Sequence, residues 1–218
     1  MYHKQVFLAI FQHSPAAAVA LLLGLVVGVV VHEAAHAYSA YLLGDDTAYR
    51  AGRVTLNPAA HLDLLGSMMF LMAGFGWGKP TPVVTSKLRG GVLGPVAVAA
   101  AGPLSNLLIV AVCAALYQLP PFQSGYLEVI VLLAAFGNAL LFVFNLIPIP
   151  PLDGAKVIFP FLPRSLSGFV DFMNQYGPMI LLVLVLLTFL PMLPSPLSYI
   201  LVLVRPVLSA FGLPPIFE

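Results

Sequence analysis

Long apolar stretches, broken by short clusters of proline, glycine and charged residues, dominate the pattern of this chain. A helix that crosses the hydrocarbon of a bilayer needs about 20 predominantly apolar residues. Three stretches reach that length, at residues 15–43, 92–119 and 127–146. Two shorter apolar stretches follow near the C-terminus, at about 178–190 and 197–211. The pattern therefore predicts an all-α polytopic membrane protein.

The region between the first two long stretches has a different pattern. Residues 52–57 are short and partly β-branched, which predicts a strand. Residues 66–75 are apolar but too short to span comfortably, and the prolines within 79–84 favour extended backbone. Such backbone is tolerated at membrane depth where protein buries it or where it lines a cavity. We therefore expect about five to six transmembrane or re-entrant helices with a small membrane-associated β element.

No internal repeat or low-complexity linker divides the chain. This predicts a single membrane-embedded domain over residues 1–218, with its core at about 15–160 and extra C-terminal spans at about 178–211. The N-terminal apolar stretch continues far past the length of a signal-peptide core, so we interpret it as a retained span.

Composition supports a bilayer as the solvent of this chain. Hydrophobic residues make up 61% of it and charged residues 8%, whereas a soluble domain carries about 25% charged residues. The net charge of +1 gives no electrostatic footprint for nucleic acid. A lipid bilayer, and no nucleic acid, is therefore the expected surrounding.

Basic residues favour one orientation. Segment 44–91 carries five Lys or Arg residues, segment 148–177 carries two, and segment 120–126 carries none. If the second and third long stretches form a hairpin, both basic segments lie on the same side. The positive-inside rule assigns that side to the cytoplasm.

The first long stretch contains two histidines and a glutamate at a spacing that suits a metal. Positions i and i+4 share one helix face, so His32 and His36 can bind one zinc ion. Glu33 lies beside them as a general base for a water molecule. The alternative is that polar neighbours in a helix bundle satisfy these groups. Ionisable side chains are costly in hydrocarbon and usually mark function there, which favours the metal site.

Catalytic zinc usually has three protein ligands and one open position, so another ligand must come from elsewhere. The candidates are His61, Asp63, Asp153 and, less plausibly, Glu128 or Asp171. Asp153 follows the third long stretch where prolines stop the helix, and the predicted topology returns it to the side of the two histidines. Gly154 is expected to let the backbone turn there. The alternative role of Asp153 is to cap a following helix.

Five motifs occur in an order that resembles the site-2 protease family of intramembrane zinc metalloproteases. They are His32-Glu-Ala-Ala-His36, Asn57-Pro-Ala-Ala-His61-Leu-Asp63, Gly76-Trp-Gly-Lys-Pro-Thr-Pro82, Ala101-Gly-Pro-Leu-Ser-Asn106 and Asn145-Leu-Ile-Pro-Ile-Pro-Pro-Leu-Asp153-Gly154. The resemblance covers about residues 20–160. It implies that His32, His36 and Asp153 bind one zinc ion and that Glu33 is the catalytic base.

The resemblance also implies an activity and a location. It predicts hydrolysis of peptide bonds in or near transmembrane segments of membrane protein substrates. The chain resembles the minimal members of the family, so we expect no PDZ or other soluble regulatory domain. We also expect a multi-pass protein of a prokaryotic plasma membrane with its active site toward the cytoplasm. A metal transporter is the rival interpretation. Transporters are typically built from repeated halves, and this sequence shows no internal repeat.

Three further polar residues each have open roles. Asn145 either holds the substrate carbonyl or the developing oxyanion, or caps the third predicted helix. Asn106 either faces the active site or makes a hydrogen bond between helices. His61 either supports the metal ligands or lies on the substrate side of the site, or it is a structural residue that faces the surface.

Overall fold

A computed structural model describes residues 14–73, 76–188 and 196–214. In this part of the chain the helices are α1 (Pro15–Leu42), α2 (Thr47–Arg50), α3 (Pro58–His61), α4 (Leu64–Ala73), α5 (Leu93–Tyr117), α6 (Gly125–Asn145), α7 (Asp153–Ile158), α8 (Ser167–Leu187) and α9 (Pro196–Ala210). Four segments are long and apolar enough to cross a membrane, namely α1, α5, α6 and the Arg164–Leu187 segment that contains α8. The predicted all-α polytopic fold is confirmed.

Local sequence explains both ends of α1. Ser14 accepts a hydrogen bond from the Ala17 N–H at 3.3 Å, and Pro15 has the φ that the first helical turn requires. Beyond the C-terminal end, Gly44 has a φ of 106°, which glycine adopts without a steric penalty. The helix has 28 residues and is therefore about 42 Å long. It exceeds the hydrocarbon thickness of about 30 Å, so at least one of its ends extends into the interfacial region.

The core of the fold is formed by α1, α5 and α6, which pack against one another. Small residues allow α1 to approach α6 closely, since a Cβ atom on Gly24 would lie 2.8 Å from the Ala134 Cα. Helices in membranes commonly associate through such small residues. Helix α9 packs against α6 and adds buried Val204 and Leu208 to the same core as Val110.

The C-terminal helices differ from their predicted bounds in one respect. The helix expected from about residue 178 begins at Ser167 instead and continues through Pro178. Proline removes one backbone hydrogen bond, which long membrane helices tolerate, so Pro178 is not a helix start here. The predicted end near 190 lies outside the described residues. The second stretch, expected at 197–211, forms α9. At 15 residues it is shorter than the about 20 that a span needs, so the total of five to six spans stays a prediction.

The predicted strand at residues 52–57 is wrong. Gly52 has a φ of 68° and belongs to a turn, and Asn57 caps α3 by accepting the Ala59 N–H at 3.1 Å. A lone extended segment without a neighbouring strand leaves its N–H groups unpaired, so capping and turn formation prevail. In the described residues, the β-type pairing is one isolated antiparallel bridge between Leu62 and Gly78. A membrane-associated β element stays a prediction.

Candidate metal centre

Three buried side chains from two helices converge on one point. Nε2 of His32 and Nε2 of His36, both on α1, lie 3.1 and 3.0 Å from Oδ2 of Asp153, at the start of α7. The two imidazole Nε2 atoms are 3.0 Å apart. The three residues are 6%, 8% and 4% exposed. Each offers one ligand atom, and these atoms lie within 4.8 Å of one another.

The outer nitrogen of each imidazole determines the protonation of the inner one. Nδ1 of His32 lies 2.7 Å from Oδ1 of Asn106, and Nδ1 of His36 lies 2.7 Å from the carbonyl oxygen of Val98. Both partners are acceptors, so both Nδ1 atoms carry a proton. In the neutral rings both Nε2 atoms are then unprotonated. Two lone pairs and a carboxylate oxygen facing one another repel, and a bound cation removes that repulsion.

The donor set suits zinc. Two imidazole nitrogens and one carboxylate oxygen are typical of catalytic zinc sites, which keep a further position open. A hydrogen bond from the second ring nitrogen to an amide or carbonyl oxygen is the usual support of a metal-binding histidine. The residues present therefore fit a zinc ion, and His32, His36 and Asp153 are its candidate ligands.

Asp153 does not cap the following helix, which was the alternative role considered above. The N-cap of α7 is Leu152, and Asp153 is the first helical residue. Its Oδ1 accepts from the Lys156 ammonium at 3.0 Å, while Oδ2 faces the two histidines. Gly154 does not serve a turn that needs positive φ. A Cβ atom there would collide with the backbone at the end of α6, lying 2.7 Å from the Ile147 carbonyl oxygen, so glycine permits close packing.

Asn106 connects the ligands to a buried polar chain. Its Nδ2 donates to the Gly28 carbonyl oxygen at 3.1 Å and to Oδ1 of Asn138 at 3.0 Å. Nδ2 of Asn138 in turn donates to the Gly24 and Ala134 carbonyl oxygens at 3.2 and 2.9 Å. Neither amide is exposed to solvent. The donors on Nδ2 fix the orientation of Asn106, so its oxygen must face His32.

Gly102 on α5 lies directly against the ligand atoms. A Cβ atom at this position would collide with the His36 imidazole and lie 2.6 Å from Nε2 of His32. Any side chain here would occupy the space beside the two nitrogens. Gly102 belongs to the motif Ala101-Gly-Pro-Leu-Ser-Asn106, and the motif gave no sign of this contact.

Glu33 lies beside the ligands along the chain, but its carboxylate is held by the segment 76–84. The Thr81 N–H and hydroxyl donate to Oε2 of Glu33 at 2.9 and 2.7 Å. Buried Arg53 places Nη2 4.0 Å from the same oxygen. Thr81 is 48 residues from Glu33 along the chain, and Arg53 is 20 residues from it. Sequence analysis identified neither of these partners.

The remaining predicted residues have their hydrogen-bond partners elsewhere in the described part of the chain. His61 is fully buried, and its Nε2 bonds the Thr55 carbonyl oxygen at 2.8 Å. Nδ2 of Asn145 donates to the Leu141 carbonyl oxygen in its own helix at 2.9 Å. Asp63, one alternative ligand, accepts the Gly66 N–H at 2.8 Å at the start of α4.

Comparison with known proteins adds one relative. The chain is 39% identical over 177 residues to the "Putative zinc metalloprotease YwhC" of Bacillus subtilis (strain 168), a match that covers 75% of this chain and 78% of that protein. No family model matches the chain, and no solved structure matches it. The chain therefore belongs to the zinc metalloprotease family of that Bacillus subtilis protein.

Proposed function

We propose that this membrane metalloprotease is an intramembrane endopeptidase of the site-2 protease type, which hydrolyses peptide bonds in or near transmembrane segments of membrane protein substrates. The observation that carries the proposal is the buried cluster that Asp153 forms with His32 and His36, two residues inside an apolar helix. His36 is six residues from the end of α1, which corresponds to about 9 Å along the axis. A metal site at that depth is suited to a substrate that is itself in the membrane.

The protein's own residues divide the chemistry among them. His32, His36 and Asp153 would hold a zinc ion, which would supply a Lewis acid that acidifies water and polarises the scissile carbonyl group. Glu33 accepts the proton of the attacking water and donates it to the leaving amine. Asn106 and Val98 hold the imidazole rings in the tautomer that presents both Nε2 atoms inward.

We further propose that the site faces the cytoplasm of a bacterial cell. The end of α1 nearest the site is followed by a segment rich in basic residues, of which Arg50 and Lys87 have exposed side chains. The connection between α5 and α6 at the opposite end has no Lys or Arg. This distribution follows the positive-inside rule.

The decisive experiment compares zinc content and cleavage in purified variants. Glu33→Gln keeps all three ligands, so we expect full zinc content and no cleavage of a membrane-embedded model substrate. Asp153→Ala removes a ligand, so we expect loss of both zinc and cleavage. Matched controls are Glu128→Gln near the start of α6 and Asp171→Ala on the exposed face of α8, and both should retain zinc and activity.

Three results would contradict the proposal. Full cleavage by Glu33→Gln would exclude Glu33 as the base, and full zinc content in Asp153→Ala would exclude Asp153 as a ligand. Zinc flux through proteoliposomes of the wild type, without any peptide cleavage, would favour a transporter instead.

A further inference from the structure

The carboxylate of Glu33 is held through one of its two oxygens. The N–H and the hydroxyl of Thr81 both lie within hydrogen-bonding distance of Oε2, at 2.9 and 2.7 Å. The nearest cationic group, Nη2 of Arg53, also approaches Oε2, at 4.0 Å. The Thr81 hydroxyl is in addition 3.1 Å from the Glu33 carbonyl oxygen. Thr81 therefore contacts both the side chain and the backbone of Glu33.

Thr81 is itself anchored on both sides within the segment 76–84. The Lys79 N–H donates to the His61 carbonyl oxygen at 2.7 Å, and Arg53 donates to the Lys79 carbonyl oxygen. On the other side, the Val84 N–H donates to Oδ2 of Asp45 at 2.6 Å. Pro80 and Pro82 flank Thr81 and restrict its backbone. The position of Thr81 is thus fixed independently of its contact with Glu33.

From this arrangement we propose that Thr81 is the positioning residue of the general base. Its two donors engage Oε2 and restrict the rotation of the Glu33 side chain, which presents Oε1 to the water molecule that is deprotonated. This role rests on the proposed function of Glu33. A base held in one orientation spends more of its time within reach of the proton it accepts. Thr81 thereby acts through Glu33 and needs no contact with substrate.

The kinetic test uses substitutions that differ in the hydroxyl group alone. Thr81→Val keeps a β-branched side chain and the backbone N–H but loses the hydroxyl, so we expect kcat to fall about 10- to 100-fold, as for a lost hydrogen bond to a charged group. KM and zinc content should stay at the wild-type values. Thr81→Ser restores the hydroxyl and should recover most of kcat. Thr85→Val makes the same substitution at an exposed position of the same region and should leave kcat unchanged.

A second test needs no zinc and no substrate. In metal-free protein we expect the losses in Tm of Thr81→Val and Glu33→Ala to be non-additive, because either substitution removes the same contact. The double variant should therefore lose less than the sum of the single losses.

The outcomes separate this inference from the function on which it rests. Wild-type protein without zinc-dependent cleavage would overturn the proposed function and the role of Thr81 with it. If the wild type cleaves, then an unchanged kcat in Thr81→Val, a rise confined to KM, failure of Thr81→Ser to recover activity, or additive Tm losses would each overturn the positioning role alone.

Discussion

At the residue scale, the properties of the site depend on groups outside the cluster of His32, His36 and Asp153. Asn106 and the Val98 carbonyl oxygen require a proton on each Nδ1, and this leaves both inner nitrogens free to coordinate. Asn106 is fully buried, and an amide in such surroundings must have hydrogen-bond partners. Its contact with His32 thus both satisfies the amide and orients the imidazole ring.

Asn106→Leu should weaken zinc binding. The substitution removes the acceptor at Nδ1 of His32, and loss of such support typically lowers metal affinity about 10- to 100-fold. Competition with a chromogenic chelator would measure the zinc Kd. Asn145→Leu is the matched control, because Asn145 bonds its own helix backbone and should leave the Kd unchanged. An equal Kd in wild type and Asn106→Leu would contradict the orienting role.

Gly102→Ala should exclude zinc by steric overlap. The added methyl group would collide with the His36 imidazole, and α5 would have to shift for both to fit. We expect elemental analysis of the purified variant to find much less zinc than in the wild type. Gly168→Ala is the control, since a Cβ atom there meets nothing within 4 Å. Stoichiometric zinc in Gly102→Ala would show that α5 can move away without loss of the site.

At the element scale, one carboxylate joins the end of α1 to the segment 76–84. Asp45 is fully buried and accepts hydrogen bonds from the Thr47 N–H, the Thr47 hydroxyl and the Val84 N–H. Burial alone would raise the pKa of Asp45, but these donors, with the Thr47 hydroxyl foremost, and the nearby Lys87 ammonium hold the pKa below its ordinary value. The ionised form of Asp45 therefore stabilises the folded protein.

The sign of this pKa shift predicts a loss of stability in acid. Because the pKa of Asp45 is lowered in the folded state, its carboxylate contributes fully to folding stability above the unfolded-state pKa of about 3.9. This contribution is lost as the pH falls through the folded-state pKa. We expect Asp45→Ala to lose about 1–3 kcal/mol near neutral pH, as for buried donors left without an acceptor. Its deficit relative to wild type should shrink in thermal unfolding below pH 4. A deficit in Asp45→Ala that is independent of pH would contradict this role, and Asp171→Ala on exposed α8 serves as the control.

At the scale of the whole molecule, the helix connections define two faces. The connections after α1 and after α6 share the side of the candidate metal centre, whereas the 3-10 helix Pro120–Phe122 lies between α5 and α6 at the opposite end. Most of α8 is exposed, with Met173 and Gly177 as its buried residues. In a bilayer, such a helix contacts lipid or another protein over most of its surface.

Thiol labelling tests the proposed orientation. In a Cys113→Ala background, Gln123→Cys should react with a membrane-impermeant maleimide added to intact cells. Thr85→Cys should react only after the cells are permeabilised, because the metal-site side is proposed to be cytoplasmic. Labelling of Thr85→Cys in intact cells, with protection of Gln123→Cys, would reverse the orientation and leave the metal site itself unaffected.

The sequence by itself determined the membrane class, the main helices and the His-Glu-His group, because each is encoded by a local period or composition. Helix α1 differs from the predicted stretch by one residue at its C-terminal end, and α9 by one at each end. Local signals failed in two places. A strand needs a pairing partner, and residues 52–57 have no neighbouring strand among the residues that the structure describes. A proline predicted the start of the next helix, but α8 begins at Ser167 and continues through Pro178.

Only the tertiary structure decided how the site is supported. Asn106 meets His32 across 74 residues and Asp153 meets it across 121, and Thr81 meets Glu33 across 48. Contacts of this kind depend on how α1, α5 and α7 pack, and no short sequence period encodes that packing. Asp153 was nevertheless expected, because the chain has few ionisable residues and the predicted helix topology returns Asp153 to the side of the two histidines. Thr81, Arg53 and Gly102 carried no such constraint, and their roles follow from the packing of the folded chain.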